Sequence, residues 1–181
     1  MNTATQNLEN DHLYILRLVY VMEKMVVNLS TDSGDLDLVV DLIRKYVDGF
    51  HHAKEENLLF PLLLKKGFSD EHGPVAVMLN EHTESRKYVK EICEGIDKYN
   101  QGDDNTIPEI YRNMQLYIDL LRAHVGKENN VLFRLVDKVL DSKEQADLLD
   151  KFESFETNDF TKEKIQKYIT DIEGLEVIYM E

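Results

Sequence analysis

The chain has 181 residues, 43% hydrophobic and 31% charged, an ordinary balance for one domain, or one domain with an appendage, that buries a core. Thirty-five acidic residues against 21 basic ones leave a formal charge of −14, and no basic run is present. Nucleic acid and anionic membrane surfaces are thereby excluded as partners, because both are held through clustered lysine and arginine.

Helices are predicted almost throughout. From about Leu8 to Leu29 the positions His12, Ile15, Val19, Met22 and Val26 recur at helical spacing, and the polar run from Ser30 to Gly34 ends the segment. A second helix is predicted from about Asp35 to Leu64, with Leu42, Gly49, His52, Glu56, Leu59 and Leu63 on one stripe and Pro61 as a kink or early end. A third opens at Gly73-Pro74 and carries Val75, Met78, His82, Val89, Ile92 and Ile96. The fourth starts behind Thr106, which with Glu109 reads as a capping box, and runs to about Leu140 through Met114, Tyr117, Leu121, His124, Glu128 and Val131. The expected fold is all-α, an antiparallel up-down-up-down four-helix bundle over 1–141. Residues 142–181 form a C-terminal extension of two shorter helices, near Ser142–Phe155 and Thr161–Ile172, each opened by a Ser or Thr cap. That extension is expected to cover one side of the bundle, or else to contact a second copy or a protein partner.

Glutamate follows histidine at four residues in His51–Glu55, His52–Glu56 and His124–Glu128, a spacing that stacks both side chains on one helical face. His12 and His82 stand on the two remaining stripes. One histidine on an apolar stripe is ordinarily a hydrogen-bonded core residue, but one on each of four stripes is a convergent set. Glu56 and Glu128 point the same way: a buried carboxylate costs several kcal/mol unless paired or coordinated, and neither has a Lys or Arg four residues away. The candidate metal ligands are His12, His52, Glu56, His82, His124 and Glu128. Four imidazoles and two carboxylates exceed the needs of one structural zinc and suit two bridged ions, iron ahead of manganese or zinc. His51 and Glu55, about 100° around an α-helix from the chosen pair, are expected behind the ligands or on a solvated flank. His72 is expected at the surface, and Met22, Met25, Met78, Met114 and Cys93 in or beside the core.

Four stretches resemble hemerythrin-like, or HHE cation-binding, domains: Asp11-His12, the run from His51-His52 through Glu55-Glu56 to Pro61, Gly73-Pro74 to Glu81-His82, and His124 through Glu128 to Phe133. The resemblance covers roughly the first 140 residues. It implies a non-heme, oxo- or hydroxo-bridged di-iron centre held by the six residues above, with both glutamates bridging. Oxygen-carrying members place a second histidine one turn before the position of His82, where Met78 stands here, and an aspartate five residues after the last histidine, where this chain has Glu128 at four. Water, Glu81 or Tyr117 are candidates for the place left by the missing imidazole.

The resemblance implies binding of O2, NO or another small redox ligand, including sensing of iron, or alternatively a redox enzyme acting on peroxide, O2 or NO. The expected partner is thus a small gas or peroxide. A single cysteine, a polar start from Met1 to Asp11 and no apolar span of about 20 residues make the cytoplasm the expected location.

Overall fold

The computed structural model describes residues 3–179, so the first two and last two residues of the expected segments 1–141 and 142–181 lie outside the described residues. Among the described residues all regular structure is helical. Helix α1 (Ala4–Asn28) begins four residues before the predicted start. Thr3 opens it with a reciprocal cap: Gln6 N–H donates to Thr3 Oγ1 at 3.2 Å and Thr3 N–H donates to Gln6 Oε1 at 3.0 Å.

The second helical run, 33–65, is continuous but not uniform. It comprises α2 (Ser33–Leu42), a π-helical stretch π1 (Ile43–His52), a second π2 (Glu55–Leu59) and α3 (Phe60–Lys65). Pro61 lies inside the run at the π2–α3 junction, and the run continues past it without the N–H that proline lacks. Helix α4 (Gly73–Asn100) starts at the Gly-Pro pair as predicted. The last long run, 107–139, is α5 (Ile107–Lys127), π3 (Glu128–Leu132) and α6 (Phe133–Val139). The predicted capping box ahead of α5 is absent. Thr106 Oγ1 instead donates to Asp103 O within a 3-10 turn (Asp104–Thr106), and the Glu109 carboxylate accepts from Arg112 and Asn113.

Neighbouring runs pair in opposite directions. Asn7 meets Lys54 while His12 meets His51; Glu56 meets His82 while Asp48 meets Arg86; Thr5 meets Asp137 while Glu23 meets Arg122. Helices α4 and α5 approach closely at Gly95, where an added Cβ would stand 2.6 Å from Ile110 Cγ1.

Helix α7 (Ser142–Phe155) is capped by Asp141, not by Ser142, with Glu144 closing the reciprocal bond. A further π-helical turn, π4 (Glu156–Phe160), leads to α8 (Thr161–Tyr179), which runs beyond the predicted end at Ile172. These helices share the bundle's core: Ile172 and Leu175 join Ile15, Met22, Tyr46 and Leu121, while Leu148 and Phe152 join Leu8, Leu59, Met78 and Phe133. The two apolar clusters flank a layer of polar residues, because each long run switches from apolar to histidine or glutamate at one level and back again. No helix among the described residues is long and apolar enough to cross a membrane.

Candidate metal centre

The layer between the apolar clusters contains five buried imidazoles and two fully buried carboxylates: His12, His51, His52, His82, His124, Glu55 and Glu128. Their ligand atoms fall into three overlapping groups, His12–His51–Glu128, Glu55–His82–His124–Glu128 and His52–His82–His124. Of the six residues singled out from sequence, His12, His52, His82, His124 and Glu128 belong to these groups and Glu56 does not.

The exchange of Glu55 for Glu56 follows from the backbone. In an α-helix, residues 51 and 52 point about 100° apart, so only one of the two histidine–glutamate registers faces the bundle axis. The π1 and π2 stretches close i→i+5 bonds instead, as where Ala53 N–H donates to Asp48 O and Phe60 N–H to Glu55 O. Each such bond puts an extra residue into the turn and narrows the angle between successive side chains. His51 and His52 are consequently both buried, and Glu55 turns fully inward. Glu56 lies at the edge, where its Oε1 accepts from His82 Nδ1 at 2.7 Å and from Arg86 at 2.7 Å. Its cation comes from another helix, which a search along its own stripe does not detect.

Every one of the five imidazoles is held by Nδ1. His12 Nδ1 donates to Asn129 Oδ1 at 2.7 Å, His51 to Asp11 at 3.1 Å, His52 to Asp48 at 3.3 Å, His82 to Glu56, and His124 to Glu81 at 3.0 Å. All five acceptors are oxygens, so the Nδ1 proton is fixed in each case and Nε2 is the atom offered inward. This is the arrangement by which metal-bound imidazoles are oriented and made more basic. It also accounts for Glu81, which serves His124 and Lys127 and does not stand in the place of the missing imidazole. Met78 is buried among apolar neighbours. His51 brings the number of inward imidazoles back to five.

Five of the inward atoms lack hydrogen-bond partners. Both oxygens of Glu55, both of Glu128 and His52 Nε2 are buried without one, although His12 Nε2 and His124 Nε2 each stand 3.2 Å from Glu128. His12 Nε2 faces His51 Nε2 at 3.0 Å, and His82 Nε2 faces His124 Nε2 at 3.2 Å. Lone pairs meeting lone pairs in a dry layer call for positive charge, since an orphaned buried acceptor costs about 1–3 kcal/mol, and more when ionised. Protons are one source. Burial pulls His124 down, but the charge of Glu128 3.2 Å away, the hydrogen bond to Glu81 and the charge of Glu55 raise it to about 10. Burial opposes ionisation of Glu128 too, yet His124 and His12 hold it well below the usual carboxylate range, whereas burial and then the charge of Glu128 push Glu55 up. Metal ions are the other source. Five imidazoles, two carboxylates and no thiolate fit iron or a similar first-row ion, and the residues present match a two-ion site in type and number.

Lys54 carries the support one step further out. Its side chain is fully buried, and Nζ donates to Asp11 at 2.7 Å, Asn7 at 2.8 Å and Glu156 at 2.8 Å, over the Phe50 ring at 4.2 Å. A row of contacts thus runs from Glu156 in π4 through Lys54 and Asp11 to His51. Of the other residues considered from sequence, His72 is exposed and bonds Ser69. A cavity of about 310 Å³ lies behind His52, with Tyr117 and Cys93 in its wall.

The family model described as hemerythrin HHE cation binding domain matches residues 3–136. An uncharacterized protein of Mycobacterium tuberculosis is 21% identical over 178 residues, which cover 96% of this chain and 69% of that protein. The iron-sulfur cluster repair protein YtfE of Enterobacter sp. is 34% identical over 85 residues, covering 46% of this chain and 39% of YtfE. YtfE of Escherichia coli O157:H7 is likewise 34% identical over 90 residues, with the same coverage. The chain therefore matches well under half the length of these YtfE proteins. No solved structure matches it.

Proposed function

Because this chain belongs to the hemerythrin HHE cation-binding domain family, we propose that it holds two non-heme iron ions and binds O2 or another small redox-active molecule such as NO. In this reading His12 and His51 serve one ion, His52, His82 and His124 the other, and Glu55 and Glu128 are shared between them, within an up-down-up-down bundle covered on one side by α7 and α8. The observation that carries it is the pair of fully buried glutamates whose four oxygens lack hydrogen-bond partners between two sets of imidazole Nε2 atoms. Iron held there would supply electrons to a bound diatomic molecule and recover them when it leaves. The chain's own residues do the rest. Asn129, Asp11, Asp48, Glu56 and Glu81 fix the imidazole rings, and the apolar clusters on both sides keep water from the layer.

Iron is favoured over manganese by the imidazole-rich ligand set and over a four-coordinate structural zinc by the number of ligands, and the YtfE relatives, named for iron-sulfur cluster repair, agree with a role in iron chemistry. Those same names support a second reading, a redox enzyme acting on peroxide, O2 or NO, since they describe action on another molecule. We place the protein in the cytoplasm, where its single cysteine among 181 residues suits a reducing environment.

The test is metal content per chain together with the visible spectrum before and after reduction, then after O2 or NO is admitted. Two irons per chain and a spectrum that changes reversibly with the gas are expected. A folded protein that takes up no iron under anaerobic conditions would overturn the reading, and steady consumption of a reductant with O2, NO or peroxide would select the enzyme.

A further inference from the structure

We propose that Arg86 is a positioning residue: its single guanidinium holds both carboxylates that fix His52 and His82, and so orients two of the inward imidazoles together. The grouping of those rings around one ion rests on the reading above, whereas the latch between them does not.

The latch spans two helical runs. His82 and Arg86 stand one turn apart on α4, while Asp48, His52 and Glu56 follow at four-residue steps through π1 and π2. His52 Nδ1 donates to Asp48 Oδ1 at 3.3 Å, and His82 Nδ1 crosses between the runs to Glu56 Oε1 at 2.7 Å. Arg86 reaches the same two oxygens. Its Nε donates to Asp48 Oδ1 at 2.8 Å and its Nη2 to Glu56 Oε1 at 2.7 Å, with Nη2 also 2.7 Å from Asp48 Oδ1. The His52 and His82 rings are themselves stacked, with centroids 3.8 Å apart and planes 17° from parallel, so a tilt of either disturbs the other.

Charge makes the guanidinium necessary. Asp48 and Glu56 present like charges to one nitrogen, and both are partly exposed. Without Arg86 they would repel each other and turn toward water, leaving each imidazole with a looser acceptor. The carboxylates behind His51 and His124 have cations too, Lys54 on Asp11 and Lys127 on Glu81, but each of these lysines stands behind a single ring. Arg86 stands behind two, because a planar guanidinium offers a fixed fork of donors. Its side chain is 41% exposed, so replacing it opens no hole in the core.

The test reads, by nuclear magnetic resonance on the metal-free full chain with isotope-labelled histidine, how fast each Nδ1 proton exchanges with solvent. Expected in Arg86→Met is exchange at least about tenfold faster at His52 and His82, the ratio that loss of one hydrogen bond to a charged group confers. His12, His51 and His124 should keep their rates, which shows the fold intact, and Lys127→Met should release His124 alone. Cobalt(II), which binds such donors at least as well as iron(II), then reads the effect on the site: in chelator competition Arg86→Met should hold it about 10–100-fold more weakly. Unchanged exchange at either ring, equal acceleration at all five, or wild-type cobalt affinity in Arg86→Met would overturn the proposal. A wild-type chain that takes up no cobalt would overturn the metal centre instead, and the exchange rates would still decide the latch.

Discussion

His12 Nε2 and His51 Nε2 face each other at 3.0 Å from antiparallel helices, with their Nδ1 protons committed to Asn129 and Asp11. Neither ring can turn away without giving up its bond, so a positive charge is needed at their inner edge. His51→Ala and His52→Ala should therefore both lose bound metal, while His72→Ala, altered in an exposed loop, should keep the full complement. Metal analysis per chain decides it; a wild-type content in His51→Ala would return this residue to a supporting role.

The two adjacent glutamates separate by the same measurement. Glu55→Gln removes a charge from a fully buried position amid His51, His82 and Glu128, and should abolish the two-ion stoichiometry. Glu56→Gln loosens the hold on His82 Nδ1 and on Arg86 without touching an inward-facing group, so stoichiometry should survive with metal affinity about 10–100-fold weaker, as for other oriented imidazoles. Chelator competition measures the second effect, and the opposite ranking would mean that the helix bonding around Glu55 has been misjudged.

Lys54→Met leaves the Asp11 carboxylate without its principal counter-charge and Glu156 without its lysine. Breaking a buried ion pair from one side costs about 3–5 kcal/mol, so urea unfolding should show a loss of that order. Glu156→Gln keeps Lys54 on Asp11 and Asn7 and should cost clearly less. Equal losses in the two variants would contradict the central place given to the lysine.

Acidity should distinguish the metal-free from the loaded protein. Burial lowers His12, His82 and His124, but Glu128 for His12 and His124, and Glu55 and Glu56 for His82, raise all three above their ordinary value, His124 to about 10. A raised imidazole gives stability that is complete below about pH 6.5 and is lost as pH climbs through the folded value. The Tm of metal-free protein should consequently fall between about pH 7 and 10, whereas iron-loaded protein, whose compensating charge is not a proton, should change little. Parallel curves for the two forms would show that protons and metal do not compete for these rings.

The helices were legible because apolar residues recur at helical spacing and because Gly34, Gly67 and Gly73-Pro74 stand at or beside their ends. Five of the seven inward polar residues were legible for the same reason, each lying on a stripe that is otherwise apolar. The choice between Glu55 and Glu56 was not, since His51-His52 followed by Glu55-Glu56 satisfies the four-residue spacing in either register and only the π-helical bonds decide which pair turns inward. Lys54 was invisible for a different reason. A lysine reads as solvated wherever its partners are distant in sequence, and Glu156 is 102 residues away.

That distance has a consequence for how the protein is made. Chains emerge from the N-terminus at about 5–20 residues per second, and contacts that span much of the length are the last available to a folding domain. All five histidines of the polar layer are synthesised before the anchor on which Lys54 depends, and Glu156 arrives only after the family-matched segment at 3–136 is complete. During that interval Lys54 has Asp11 and Asn7 but not its third oxygen, so the His51 side of the layer is completed only once π4 has emerged.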